Sequence, residues 1–121
     1  MGHAMVQRLL VAGLDVHVWN RTRAKAEDLV AFGATVVDSA ADLADREVVF
    51  TMVAADADLL EVTVGENGVL RGHNGPAYLV DSSTVSAETS DRIRLGAARH
   101  GTTLLAAPVS GNAKVVRAGK L

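Results

Sequence analysis

The chain contains no cysteine. That excludes a disulfide framework and thiolate metal sites, and it fits a reducing compartment, with the cytoplasm as the expected location. Aromatic residues make up only 3% of the 121 residues, so the core must be built from Val, Leu and Ala, as happens when helices cover a parallel sheet. The formal net charge of −2 leaves no electrostatic footprint for nucleic acid or an anionic membrane. No apolar run reaches the roughly 18 residues of a membrane span. Residues 9–13 are too short an apolar core for a signal peptide, and Val6 stands where a myristoylation signal needs Ser or Thr. His3, His17, His73 and His100 show no metal-ligand spacing and read as surface or turn residues.

What is present alternates between apolar strands and helical patterns. Hydrophobic residues make up 49% and charged residues 21%, an ordinary globular balance for one small domain. Residues 2–13 predict a helix, with Met5 and Leu9, then Val6 and Leu10, four apart on one stripe. Residues 15–20 predict a strand. Thr22 is the expected N-cap of a helix over 23–32 that Gly33 ends. A strand over 34–37 follows, and Ser39 with Asp42 has the form of a capping box. The run EVVFTMV at 47–53 predicts a strand buried on both faces. A helix is expected over 56–64, a turn at 65–68 and a strand at 77–81. Ser86 is expected to cap a helix reaching about His100, with Thr89, Ile93 and Ala97 stacked on one side. A last strand at 102–107 leads into a turn at 108–111 and a short helix. Strands and helices in alternation define an α/β fold with a doubly wound parallel sheet.

The chemistry concentrates at 16–22, VHVWNRT. In a nucleotide-binding α/β protein the end of this strand reads the adenosine ribose. A carboxylate there selects NAD, and a nearby Arg accommodates the 2′-phosphate of NADP. Here the tip carries Asn20 and Arg21 and no carboxylate, which points to NADP, with NAD as the alternative. Gly2 lies 18 residues before Asn20, close to the roughly 20-residue spacing between the G-x-G-x-x-G loop and the ribose reader. Gly2 therefore matches the last glycine of that loop. The first strand and first two glycines are missing, so the expected fold is an incomplete Rossmann-like domain over 1–121. In the order 3-2-1-4-5-6 the missing strand is central. The strands at 16–19 and 48–53 must then expose unpaired edges or pair with each other.

The succession MG, VWNRT, TMV, GENGVL, VDSSTVS and APVSG resembles the N-terminal domain of the β-hydroxyacid dehydrogenases. That family includes 3-hydroxyisobutyrate dehydrogenase, tartronate semialdehyde reductase and glyoxylate/succinic semialdehyde reductase, and is related to 6-phosphogluconate dehydrogenase. The resemblance implies that Asn20, Arg21 and Thr22 hold the ribose phosphate. Val53 and Ala54, where the family usually has Leu-Pro, would lie near the nicotinamide side. Thr84 would contact the nicotinamide ribose or carboxamide region. Ser110 and Gly111 would bind the carboxylate of a small substrate. Ala106 replaces a family Asp and Asn112 replaces a family Gly; a left-handed Asn112 would preserve the turn, and its amide would alter which substrate fits. The family's catalytic Lys is expected beyond Leu121. Lys114 and Lys120 sit too early to be equated with it, so no catalytic residue is assigned. The full-length enzyme is expected to be a homo-oligomer.

Plainer readings compete. Arg21 is read alternatively as a solvated turn residue, and Ser82, Ser83 and Ser86 as turn and capping residues. Ser110 is no hydrolase nucleophile, because APVSGN lacks G-x-S-x-G. Met1, Met5 and Met52 read as packing residues. Three functions remain in view: the cofactor-binding part of an NADP-preferring hydroxyacid or semialdehyde oxidoreductase, a non-catalytic remnant with at most weak nucleotide binding, and an imine or semialdehyde reductase on the same scaffold.

Overall fold

The computed structural model describes residues 1–121. The chain divides into two compact units, Met1–Asp38 with Ser110–Leu121, and Ser39–Val109.

In the first unit, helix α1 (Gly2–Val11) buries Ala4, and α5 (Ala113–Arg117) lies against it with Val116 buried. The expected helix over 2–13 thus stops two residues early, at an Ala12 cap. Strand β1 (His17–Val18) pairs in parallel with β2 (Thr35–Val36). Bonds from Thr35 N to Val16 O and from Val37 N to Val18 O extend the ladder at both ends. Between the strands the expected single helix is two short pieces, α2 (Ala24–Glu27) and a 3₁₀ segment Asp28–Phe32. Thr22 does not cap them: Arg23 holds the cap position in helical conformation, with no side-chain cap bond. The Thr22 carbonyl instead accepts from Lys25 N at 2.9 Å. Gly33, at φ +99°, closes the 3₁₀ segment in the left-handed conformation that a side chain disfavours.

In the second unit, β3 (Val48–Thr51), β4 (Tyr78–Asp81) and β5 (Thr103–Ala106) form a parallel sheet in that order. The register pairs Val49 with Leu79 and Leu79 with Leu104. Helix α3 (Asp56–Val64) connects β3 to β4, and α4 (Ala87–Ala98) connects β4 to β5. Two right-handed crossovers running the same way along a sheet put both helices on one face. Val49, Leu79 and Leu104 are accordingly buried together with Leu59, Ile93 and Ala97. The capping box is present: Ser39 N donates to Asp42 Oδ2 at 2.9 Å at the start of a 3₁₀ segment, Ala40–Leu43.

The expectation that 47–53 is buried on both faces fails. On the face opposite the helices, Val48, Phe50, Tyr78 and Leu105 are 42–55% exposed. The run is apolar throughout, but only one of its two alternating sets of side chains meets a helix layer. The strands at 16–19 and 48–53 show the first of their two expected outcomes, an unpaired edge on each. β1 is paired with β2 alone and β3 with β4 alone, which leaves an open edge on each.

Candidate functional site

In the first unit the turn after β1 is built by its own side chains. Asn20 Oδ1 accepts the Thr22 amide at 2.9 Å, an Asx turn that sets the backbone around Arg21. Asn20, Arg21 and Thr22 are all exposed. Two residues that sequence reasoning passed over fasten this turn to the end of β2. Arg23 donates from Nη1 to Asp38 Oδ1 at 2.7 Å and from Nε to Glu27 Oε1 at 3.0 Å. Trp19 Nε1 donates to the Asp38 carbonyl at 3.2 Å. The result is a cationic tip on a braced turn. Gly2 opens α1, whose first turn is tied to the 3₁₀ segment by His3 and Asp28 at 2.8 Å.

Ser110, Gly111 and Asn112 also belong to this unit and lead into α5. Gly111 has φ +149°, a backbone state that favours glycine. Asn112 is not left-handed as expected but extended, at φ −142°. Its Oδ1 caps α5, accepting Lys114 N at 3.0 Å and Val115 N at 3.1 Å. The exposed Ser110 hydroxyl precedes this cap.

In the second unit the carboxyl ends of β3 and β4 are laced by a buried polar network. Asp81 Oδ1 accepts Thr51 Oγ1 at 2.8 Å and the Ser83 amide at 3.1 Å. Ser83 Oγ accepts the Val53 amide at 3.0 Å, and Ser82 N donates to Thr51 O at 2.9 Å. Ser82 and Ser83 are buried, as turn-forming residues, while Thr84 is exposed. Ser86 caps α4 by accepting Thr89 N at 3.2 Å. Asp56, the first residue of α3, accepts from Ser86 and Thr89; these bonds, led by the Ser86 hydroxyl, hold its carboxyl below the usual value of 3.8. Val53 is half-buried and Ala54 exposed beside this network. Thr51 and Asp81 face each other in register, so two polar residues ending adjacent apolar strands were the available signal.

Parallel β-α units with polar loops at the carboxyl ends of their strands define a dinucleotide-binding type of α/β domain. The chain belongs to the family described as the NAD binding domain of 6-phosphogluconate dehydrogenase, which it matches over residues 1–121. It is 38% identical over 122 residues to glyoxylate/succinic semialdehyde reductase 2, chloroplastic, of Arabidopsis thaliana, covering 100% of this chain and 34% of that protein. It is also 38% identical over 122 residues to 3-hydroxyisobutyrate dehydrogenase of Pseudomonas aeruginosa, covering 100% of this chain and 41% of that one. Among solved structures, Psf3 in complex with NADP+ and 2-OPP superposes with a TM-score of 0.87 at 31% identity, over 98% of this chain and 43% of that one. The chain thus spans less than half the length of the proteins it matches. No helix is long and apolar enough to cross a membrane.

Proposed function

We propose that this chain is the cofactor-binding part of an NADP-preferring oxidoreductase acting on a small β-hydroxy acid or semialdehyde. One observation carries the reading. The turn after β1 presents Arg21 on an Asx-turned backbone, with no carboxylate among Asn20, Arg21 and Thr22. A guanidinium at a strand end suits the dianionic 2′-phosphate of NADP, whereas a ribose hydroxyl calls for an acceptor. The family assignment and the NADP+ bound to a structural neighbour support it.

The residues present fit such a cofactor. Gly2 opens α1 without a side chain, and Arg21 supplies a charge-assisted phosphate contact. Thr84 offers an exposed hydroxyl in a loop whose preceding serines are buried, and Val53 offers a half-buried apolar side chain from the neighbouring loop. When bound, the nicotinamide supplies the hydride acceptor or donor. Ser110, with the backbone around Gly111, would hold the substrate carboxylate; Asn112 contributes by capping α5, which leaves its oxygen engaged. No residue of this chain is assigned as proton donor. On this reading residues 1–121 form part of a dinucleotide-binding domain rather than a complete enzyme, and show no turnover alone.

A titration with NADPH, followed by nicotinamide fluorescence, tests the cofactor site. The expected dissociation constant is below about 100 μM, or about −5.5 kcal/mol. Arg21→Ala should weaken NADPH by about tenfold to thirtyfold and leave NADH within about twofold, the loss of one charge-assisted bond. Absence of NADPH binding favours a remnant without a cofactor role, and equal loss for both cofactors removes the phosphate contact from Arg21.

A further inference from the structure

We propose that Asp56 is a positioning residue for the cofactor, holding Thr84 in place from the far end of its loop. The inference rests on the assignment of Thr84 to the cofactor site given above. The connection from β4 to α4 runs through Ser82, Ser83, Thr84, Val85 and Ser86. Its near end is pinned by Asp81 and Thr51 and by the Val53 amide on Ser83 Oγ. Its far end is pinned by Asp56 alone among carboxylates. Oδ2 of Asp56 accepts Ser86 Oγ at 2.5 Å and Thr89 Oγ1 at 2.9 Å, and both oxygens lie 3.3 Å from the Ser86 amide.

Only Thr84 and Val85 lie between the two pinned points. A segment that short, anchored at both ends, has little conformational freedom left to lose when a ligand binds, and such preorganisation favours affinity. Asp56 also begins α3, immediately after the loop that carries Val53 and Ala54. One carboxylate therefore ties together the two loops assigned to the nicotinamide side. A carboxylate suits the task because it is acceptor-only and takes two hydroxyls and an amide at once; an asparagine would turn a donor toward one of them.

The test uses the whole chain with Asp56→Ala and Thr89→Val. Thr89→Val removes one hydroxyl from the clamp and keeps the shape of a buried residue and the Ser86 cap. Backbone order at Thr84 and Val85 is measured by NMR relaxation, and affinities are measured for NADPH and for adenosine 2′,5′-bisphosphate, which lacks the nicotinamide half. Asp56→Ala should lower the order parameter from about 0.85 to below about 0.6. It should weaken NADPH about tenfold while leaving the bisphosphate within about twofold, and Thr89→Val should follow with about a threefold loss for NADPH. Unchanged order at Thr84 in both variants overturns the proposal. So does equal weakening of both ligands, which marks a general structural defect. If Asp56→Ala does not fold, the same criteria apply to Thr89→Val. A wild-type chain that binds the bisphosphate and gains nothing from the nicotinamide half instead overturns the assignment of Thr84, even where the clamp itself orders the loop.

Discussion

The two units build their candidate loops by opposite means. In the first, the braced turn at Asn20–Arg21–Thr22 lies in the open, and the nearby polar bonds of Arg23, Glu27 and Asp38 are solvent-exposed. Its buried apolar residues are Ala4, Ala26, Leu29, Ala34 and Val116, mostly small. In the second, the loops rest on the buried Thr51–Asp81–Ser83 network above a core of larger side chains, among them Leu59, Leu79, Ile93 and Leu104. The first carries its charge on an exposed turn, so a cation there is held with little desolvation cost. The second can hold a neutral hydroxyl in a set place, because buried polar networks that are fully satisfied are rigid.

The largest effect that sharpens this contrast is in the cores. Leu79 and Leu29 are 0% and 1% exposed. Leu79 sits in the middle strand of three, so its neighbours are held against collapse into a void, whereas Leu29 lies in a 3₁₀ segment of a unit whose other buried apolar residues are mostly alanines. Leu79→Ala should cost about 4 kcal/mol and Leu29→Ala about 2 kcal/mol in denaturant unfolding. Equal or reversed costs would break the comparison.

A smaller effect is expected at the α5 cap. Asn112→Ala removes the acceptor for Lys114 N and Val115 N and should cost about 1 kcal/mol, read as faster amide exchange in α5. Unchanged exchange there would mean that packing on α1, not the cap, holds the helix.

The smallest effect concerns pH. The Asp56 carboxyl is held below 3.8 by the Ser86 hydroxyl first and Thr89 second. A depressed folded value means that its contribution is fully present above the unfolded value and is lost as pH falls through the folded one. The clamp should therefore persist through neutral and mildly acidic pH and release only below 3.8. Following the Asp56 carboxyl carbon by NMR checks this, and a midpoint at or above 3.8 would contradict it.

Local signals were legible in the sequence. The bounds of α3, the capping box at Ser39, the cap at Ser86 and the buried stack of Thr89, Ile93 and Ala97 each depend on residues within a few positions of one another. The family resemblance was legible too, because its short motifs mark loop positions that recur in order. The cap at Thr22 was misread because Asn20 competes for the same turn through its side chain. The one-sided burial of β3 was invisible, since Val48 and Val49 are the same residue type on opposite faces.

By itself, the sequence determined the alternation of strand and helix, the apolar stripe of each element and the cationic tip at Arg21, because spacing and side-chain chemistry are properties of neighbours. Only the tertiary structure decided which face of the sheet is covered, that β1 and β3 keep open edges, and that Asp56 meets Ser86 and Asp81 meets Thr51 across 30 positions each. Those outcomes depend on which surfaces the crossovers bring together, and a hydrogen bond across that sequence distance exists only once the strands are in register.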